Sequence, residues 1–156
     1  MDKAQLATLI TQYRAGLEAE VAILLKLQQT AAQQREASAA QDLAAFHRFT
    51  DERDSLMTSL VNVESQLREV RQTLSQRKKE VAPLPDYREA AELHQRAIAL
   101  VSQILDTDSE STEALAKAEL VRRDTARALE QGETTLTAYR RVMTTPAGGA
   151  LVDKRG

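Results

Sequence analysis

Residues that could do chemistry are sparse in this chain. The segment "DTDSESTE" (106–113) sets acids at Asp106, Asp108, Glu110 and Glu113, a faint likeness to a calcium loop. It lacks the central glycine and the glutamate at the twelfth position that such a loop needs. A solvated helix face or a turn is the simpler reading. The two histidines, His47 and His94, both fall in helical stretches. Neither has the second histidine four residues away that a helical zinc site would use. There is no cysteine, so disulfides, thiolate metal sites and thiol nucleophiles are excluded. "AGGA" (147–150) follows no strand and opens no helix, so it is not a phosphate cradle, and no GxSxG elbow occurs. The remaining carboxylates lie on amphipathic helices, where they serve as solvated faces. The expectation is a protein that is not an enzyme, with no catalytic residues, no cofactor and no bound metal.

Composition narrows the class further. The chain has 156 residues, enough for one domain with a modest core. Ala, Leu, Gln, Glu and Arg dominate, Trp is absent, and Gly and Pro are few. These side chains lose little rotamer freedom in a helix. The formal net charge is −2, so no basic excess exists to neutralise phosphates, and nucleic acid is not an expected partner. The densest basic run, "QRKKE" (76–80), suits the negative end of a helix dipole. The N-terminus carries an early acid and no apolar signal-peptide core. The longest purely apolar run, "VAILL" (21–25), is too short to span a bilayer. The expected address is the cytoplasm, with no membrane insertion.

The elements follow from apolar spacing and punctuation. Asp2 with Gln5 has the spacing of a capping box. Behind it Leu6, Ile10, Tyr13, Leu17, Val21, Leu24, Leu27 and Ala31 recur at steps of three or four, one helical stripe. Gly16 interrupts it at a cost of roughly 1 kcal/mol relative to Ala. The stripe fades in small and polar residues, and a turn is expected near 37–41 with Asp42 as the next N-cap, or alternatively Ser38 with Gln41. Leu43, Phe46, Phe49, Arg53, Leu56, Leu60, Val63, Leu67, Val70 and Leu74 mark a second helix. From Leu56 to Leu74 the spacing is a heptad seam. Pro83 and Pro85 end it and push Ala82 and Leu84 out of helical geometry. Asp86 with Glu89 is a second capping-box spacing. Leu93, Ala97, Leu100/Val101 and Ile104/Leu105 stripe a third helix, which meets the polar window 106–113 and resumes at Leu115. The window is either a turn, closing a four-helix bundle, or part of one long helix; the lack of Pro and Gly favours continuity. The expected fold is all-α, an elongated antiparallel bundle of helices 3–37, 42–81 and 87–143, the last split near 106–112 if four are made. Residues 144–156 are expected to form a flexible tail.

With chemistry set aside, interaction remains. "TLTAYRRVM" (135–143) places Leu136, Tyr139 and Val142/Met143 on one face at the end of the last helix. There the stripe outruns its neighbours, and a partner's amphipathic helix could lie along it. Leu129, Leu136, Tyr139, Val142 and Met143 are the candidate apolar contacts, with Arg140 beside them to meet acidic groups.

Three segments together resemble the small flagellar export chaperones of the FlgN and FliT type. In "QREASAAQDLAAFHRFTDERDSLMTSL" (34–60), Arg35, Asp42, Leu43, Phe46, Phe49, Arg53, Leu56 and Leu60 match the family's junction between its first two helices. Members commonly carry Lys where this chain has Arg53. In "ILDTDSESTEALAKAELVRRDTARALEQGETTLTAYRR" (104–141), Ile104, Asp106, Leu115, Leu129, Gly132, Leu136, Ala138 and Tyr139 match a FliT-like ending. The tail "ALVDKRG" is similar to the short ending of several such chaperones. The window lacks the Asn-rich pattern common in FlgN-type members, which leaves the subfamily open. The resemblance implies a cytoplasmic chaperone of type III secretion. It would bind the terminal helices of axial or cap subunits, prevent premature assembly and deliver them to the export gate or ATPase. Micromolar affinity, about −8 kcal/mol, would suffice and still permit release. The competing reading is a coiled-coil scaffold or adaptor that forms a homodimer through the Leu56–Leu74 seam.

Overall fold

Asp2 starts the first helix. Its carboxylate accepts from the Gln5 amide at 2.8 Å, and the Gln5 side chain accepts from the Asp2 amide at 3.0 Å. Helix α1 then runs from Lys3 to Ala39. All eight residues of its predicted stripe are buried, Leu17 and Ala31 completely. The fold is given by a computed structural model that describes residues 1–130, without the side chains of Thr125 and of 128–130. Within those residues the protein is an all-α bundle of three long helices and one short one.

The turn expected near 37–41 is a Schellman closure. The Asp42 amide donates to Ala37 O at 2.9 Å and the Gln41 amide to Ser38 O at 3.1 Å. Gln41 takes the left-handed conformation, with φ 57°. Asp42 serves both sides of the turn, because its carboxylate also caps the next helix by accepting from Ala45 N at 3.0 Å. That helix, α2, spans Leu43–Gln76. It stops five residues before the expected 81. A one-turn helix, α3 (Lys78–Val81), follows, so the basic run straddles the break. Ala82 departs from expectation: although Pro83 follows, it sits in the right-handed helical region, with its amide bonded to Lys78 O. The α3 turn supplies a bond that offsets the clash before proline.

Helix α4 spans Pro85–Glu130 without a break. It opens at Pro85, whose missing donor and fixed φ suit a first helical position. Asp86 therefore lies inside the first turn and does not cap it as the 86/89 spacing had suggested. Residues 106–113 continue the helix, so the bundle has three long helices and not four. Helices α1 and α2 are antiparallel, and α4 runs parallel to α1. Arg14 with Glu89, Gln28 with Gln103 and Arg35 with Glu110 each pair residues 75 apart. Their positions on α1 differ by whole heptads, so one helix face is read in a constant register. Carried onward, that register sets residue 114 beside Ala39; beyond it Leu120 and Asp124 are still buried.

Two apolar clusters fill the bundle. One gathers Leu6, Ile10, Tyr13 and Leu17 with Leu67, Leu74, Val81 and Ala90. The other gathers Val21, Leu24, Leu27 and Ala31 with Ala97, Leu100 and Ile104, and Leu56 and Leu60 pack against it. The heptad seam of α2 is thus turned onto α1. Leu43, read as inward, is instead 48 % exposed, because it stands at the first position beyond the turn. Among the described residues no helix is long and apolar enough to cross a membrane.

Candidate functional site

Helix α1 packs closely along both α2 and α4, whereas α2 and α4 scarcely meet each other. Among the described residues one polar tie joins them. At one end Arg53 donates to both oxygens of Asp108, at 2.7 and 2.5 Å. Its Nη1 also donates to Gln34 Oε1 at 2.9 Å, and Gln34 Nε2 donates to Thr50 Oγ1 at 2.9 Å. This fork ties all three long helices, and it matches the planar geometry that only arginine offers a carboxylate. Hydrogen bonding to Asp108 holds the guanidinium even more firmly charged.

The acidic window therefore has a job that its composition hid. Asp108 is half-buried, Ser111 is buried, and Glu110 meets Arg35 at 3.2 Å. It is not simply a solvated face. Its acids answer Arg35 and Arg53 across the helix junction. Among the described residues no three His, Cys, Asp or Glu side chains gather as a metal-binding group.

A separate polar cluster gathers Glu20, Glu64 and Arg71, with the charge of His94 acting on Glu64. Arg71 donates to the Glu64 carboxylate at 3.1 and 3.5 Å, and its guanidinium carbon stands 6.0 Å from the Tyr13 ring centre. Tyr13 in turn stacks on Tyr87 at 6.4 Å. Glu20 is only 6 % exposed, and its Oε2 is buried without a donor. Burial, the neighbouring Glu64 carboxyl and their repulsion push the Glu20 carboxyl up to about 7, against a weaker downward pull from Arg71. Glu64 moves the other way. Burial pulls it upward, but hydrogen bonds from Arg71 and Glu20, with the charges of Arg71 and His94, outweigh that and hold it low. His94 is half-buried, with Nδ1 lacking a partner, while His47 is exposed and lies edge-on to Phe46.

Between the Arg53–Asp108 tie and the Glu20 cluster lies an apolar trough. On α2, Arg53, Met57, Val61 and Glu64 succeed one another at helical steps, so they share a flank. On α4, His94, Ile98, Val101, Leu105 and Asp108 do the same. Because Arg53 meets Asp108 and Glu64 feels His94, these flanks face each other. The apolar residues between are exposed: Met57 41 %, Val61 58 %, Ile98 51 %, Val101 42 % and Leu105 62 %. The floor is the second core cluster, with Leu56, Leu60, Ala97, Leu100 and Ile104 beneath. Five large apolar side chains are thus exposed on the facing flanks, with the Arg53–Asp108 pair at one end.

Of the site residues read from the sequence, Leu129 lies in the last turn of α4, with its side chain outside the described set. Leu136, Tyr139, Arg140, Val142 and Met143 lie outside the described residues altogether, as does the expected tail. The trough was missed. The doubled positions Leu100/Val101 and Ile104/Leu105 were its signal, since one member of each pair is buried and the other is exposed. No family model, no curated protein and no solved structure matches this chain.

Proposed function

We propose that the protein is a cytoplasmic export chaperone of the FlgN/FliT type that holds an amphipathic terminal helix of a flagellar axial or cap subunit. The observation that supports this most is the trough. The exposed strip offers a partner helix apolar anchors over about two turns. An axial subunit's terminal helix has a matching apolar stripe that lies bare until assembly. Burying the two stripes together protects the cargo without energy input and leaves it releasable. Delivery to the export gate or its ATPase belongs to the same proposal. The "TLTAYRRVM" stripe remains a second candidate contact. The scaffold alternative loses its basis in the heptad seam, because Leu67 and Leu74 are buried against α1.

The test is calorimetric titration with C-terminal fragments of the same organism's hook-associated, cap and filament subunits. We expect one-to-one binding, micromolar or tighter, to one fragment. Val61→Ser/Leu105→Ser should abolish it while helicity and melting temperature hold. If only Leu136→Ala/Tyr139→Ala abolishes it, the docking helix is the terminal one. No binding to any fragment sinks the chaperone reading, and sedimentation of the free protein as a dimer would favour the scaffold.

A further inference from the structure

The Glu20 cluster lies near the other end of the trough. Its geometry raises a question of charge. Glu20 projects from α1 into the bundle, where its Oε2 is buried without any hydrogen-bond donor. Glu64 of α2 is the neighbouring acid that acts on it, and Arg71 is bonded to Glu64 at 3.1 Å. On the α4 side, His94 acts on Glu64, and Tyr13 of α1 acts on Arg71. Arg14, Glu18, Glu89, Glu92 and Arg96 surround a separate pocket between α1 and α4. Arg14 is engaged there with Glu18 and Glu89 at 3.2 and 2.6 Å, so it offers Glu20 no counter-charge. Two carboxylates thus share one guanidinium, and Arg71 is already committed to Glu64.

Two ionised carboxylates cannot adjoin in a buried site with a single cation, whereas a protonated one can donate to the other. We propose that Glu20 and Glu64 share one proton in the folded protein, and that losing it above neutral pH loosens α2 from α1 around the cluster. With that proton in place Glu20, Glu64 and Arg71 together carry no net charge: Glu20 donates to Glu64, and Glu64 accepts from Arg71. Without it, a net negative charge is left between the helices. The proton balance fixes the sign. An acid held protonated by folding adds stability in full below its unfolded value, 4.5 here, and that stability is lost as pH rises through about 7. Glu64 acts oppositely, adding stability above 4.5 that is lost only as pH falls through its lowered folded value. The cluster is therefore most favourable at mildly acidic pH. This device does not depend on the chaperone reading.

Carbon-13 NMR of the full chain, with glutamate labelled at the side-chain carboxyl, tests it. One resonance, assigned by its absence in Glu20→Gln, should titrate near pH 7, well apart from the other glutamates. The wild-type melting temperature should fall by about 5 °C between roughly pH 6 and pH 8 beyond any change in Glu20→Gln, whose neutral amide cannot ionise. Glu64→Gln frees Arg71 to pair with Glu20, so the Glu20 resonance should then titrate in the ordinary carboxylate range. A wild-type Glu20 titrating below about pH 5, or a Glu20→Gln melting profile parallel to wild type, overturns the proposal.

Discussion

The two flanks of α4 obey different rules. Toward α1 the helix is sealed: Ala97, Leu100 and Ile104 are buried, and polar pairs recur outside them in a constant register. Toward α2 the same turns show Ile98, Val101 and Leu105 exposed, with the Arg53–Asp108 pair at one end. Small and medium side chains on the first flank let two helices approach in parallel. The second flank carries equally apolar side chains but no partner for them. Hydrophobicity alone does not distinguish core from exposed strip; what distinguishes them is whether, among the described residues, another helix of the chain lies opposite.

The largest test of this contrast is a pair of truncations. Leu24→Ala removes a side chain 2 % exposed from the sealed side and leaves a cavity, so unfolding free energy should fall by about 2–5 kcal/mol. Ile98→Ala, 51 % exposed on the open side, should move it by no more than about 0.5 kcal/mol. Urea melts of the two variants measure both. Equal losses would mean that the trough is closed by the chain itself and is no docking surface.

The sealed half was readable from the sequence, and the open half was not. Asp2, Asp42 and the eight-residue stripe of α1 speak through local rules: a cap needs its own residue and a partner three positions on, and a buried stripe repeats at helical steps. The trough depends on the distance between α2 and α4, which no local pattern sets. The polar window misled for a related reason. Asp108 looks solvated until Arg53 arrives from 55 residues away. Arg53 itself stood in an apolar stripe, the one local hint that a buried acid must be found for it. Glu20 gave less warning, since a glutamate between Ala19 and Val21 reads as an ordinary helix position.

A middle-sized test addresses the tie that holds the open flank at its set width. Arg53→Ala strands Asp108 and Gln34 and should cost about 2 kcal/mol, on the scale of hydrogen bonds to a charged group. Arg53→Lys keeps the charge but replaces the fork by a point contact, and about half that loss is expected. Thermal melts at low and high salt separate the two, because the half-buried pair is screened less than surface pairs. If Arg53→Ala melts like wild type, the tie does not set the separation of α2 and α4.

The smallest expected effect lies on the third seam, where α1 meets α2 most closely. A Cβ added to Gly16 would run into the Leu67 side chain, closer than real Cβ contacts come. Leu67 is 3 % exposed, so it has little room to swing away. Alanine at this position gains roughly 1 kcal/mol of helix propensity. It loses about 1–3 kcal/mol to overpacking. The net should be a loss of about 1 kcal/mol, the reverse of what an exposed helical glycine would give. The double variant Gly16→Ala/Leu67→Ala should then be more stable than the two single losses added together, because the new methyl fills part of the space the leucine leaves. A Gly16→Ala variant more stable than wild type would mean that α2 shifts outward freely, and α1 would then grip α2 no more firmly than α2 grips α4.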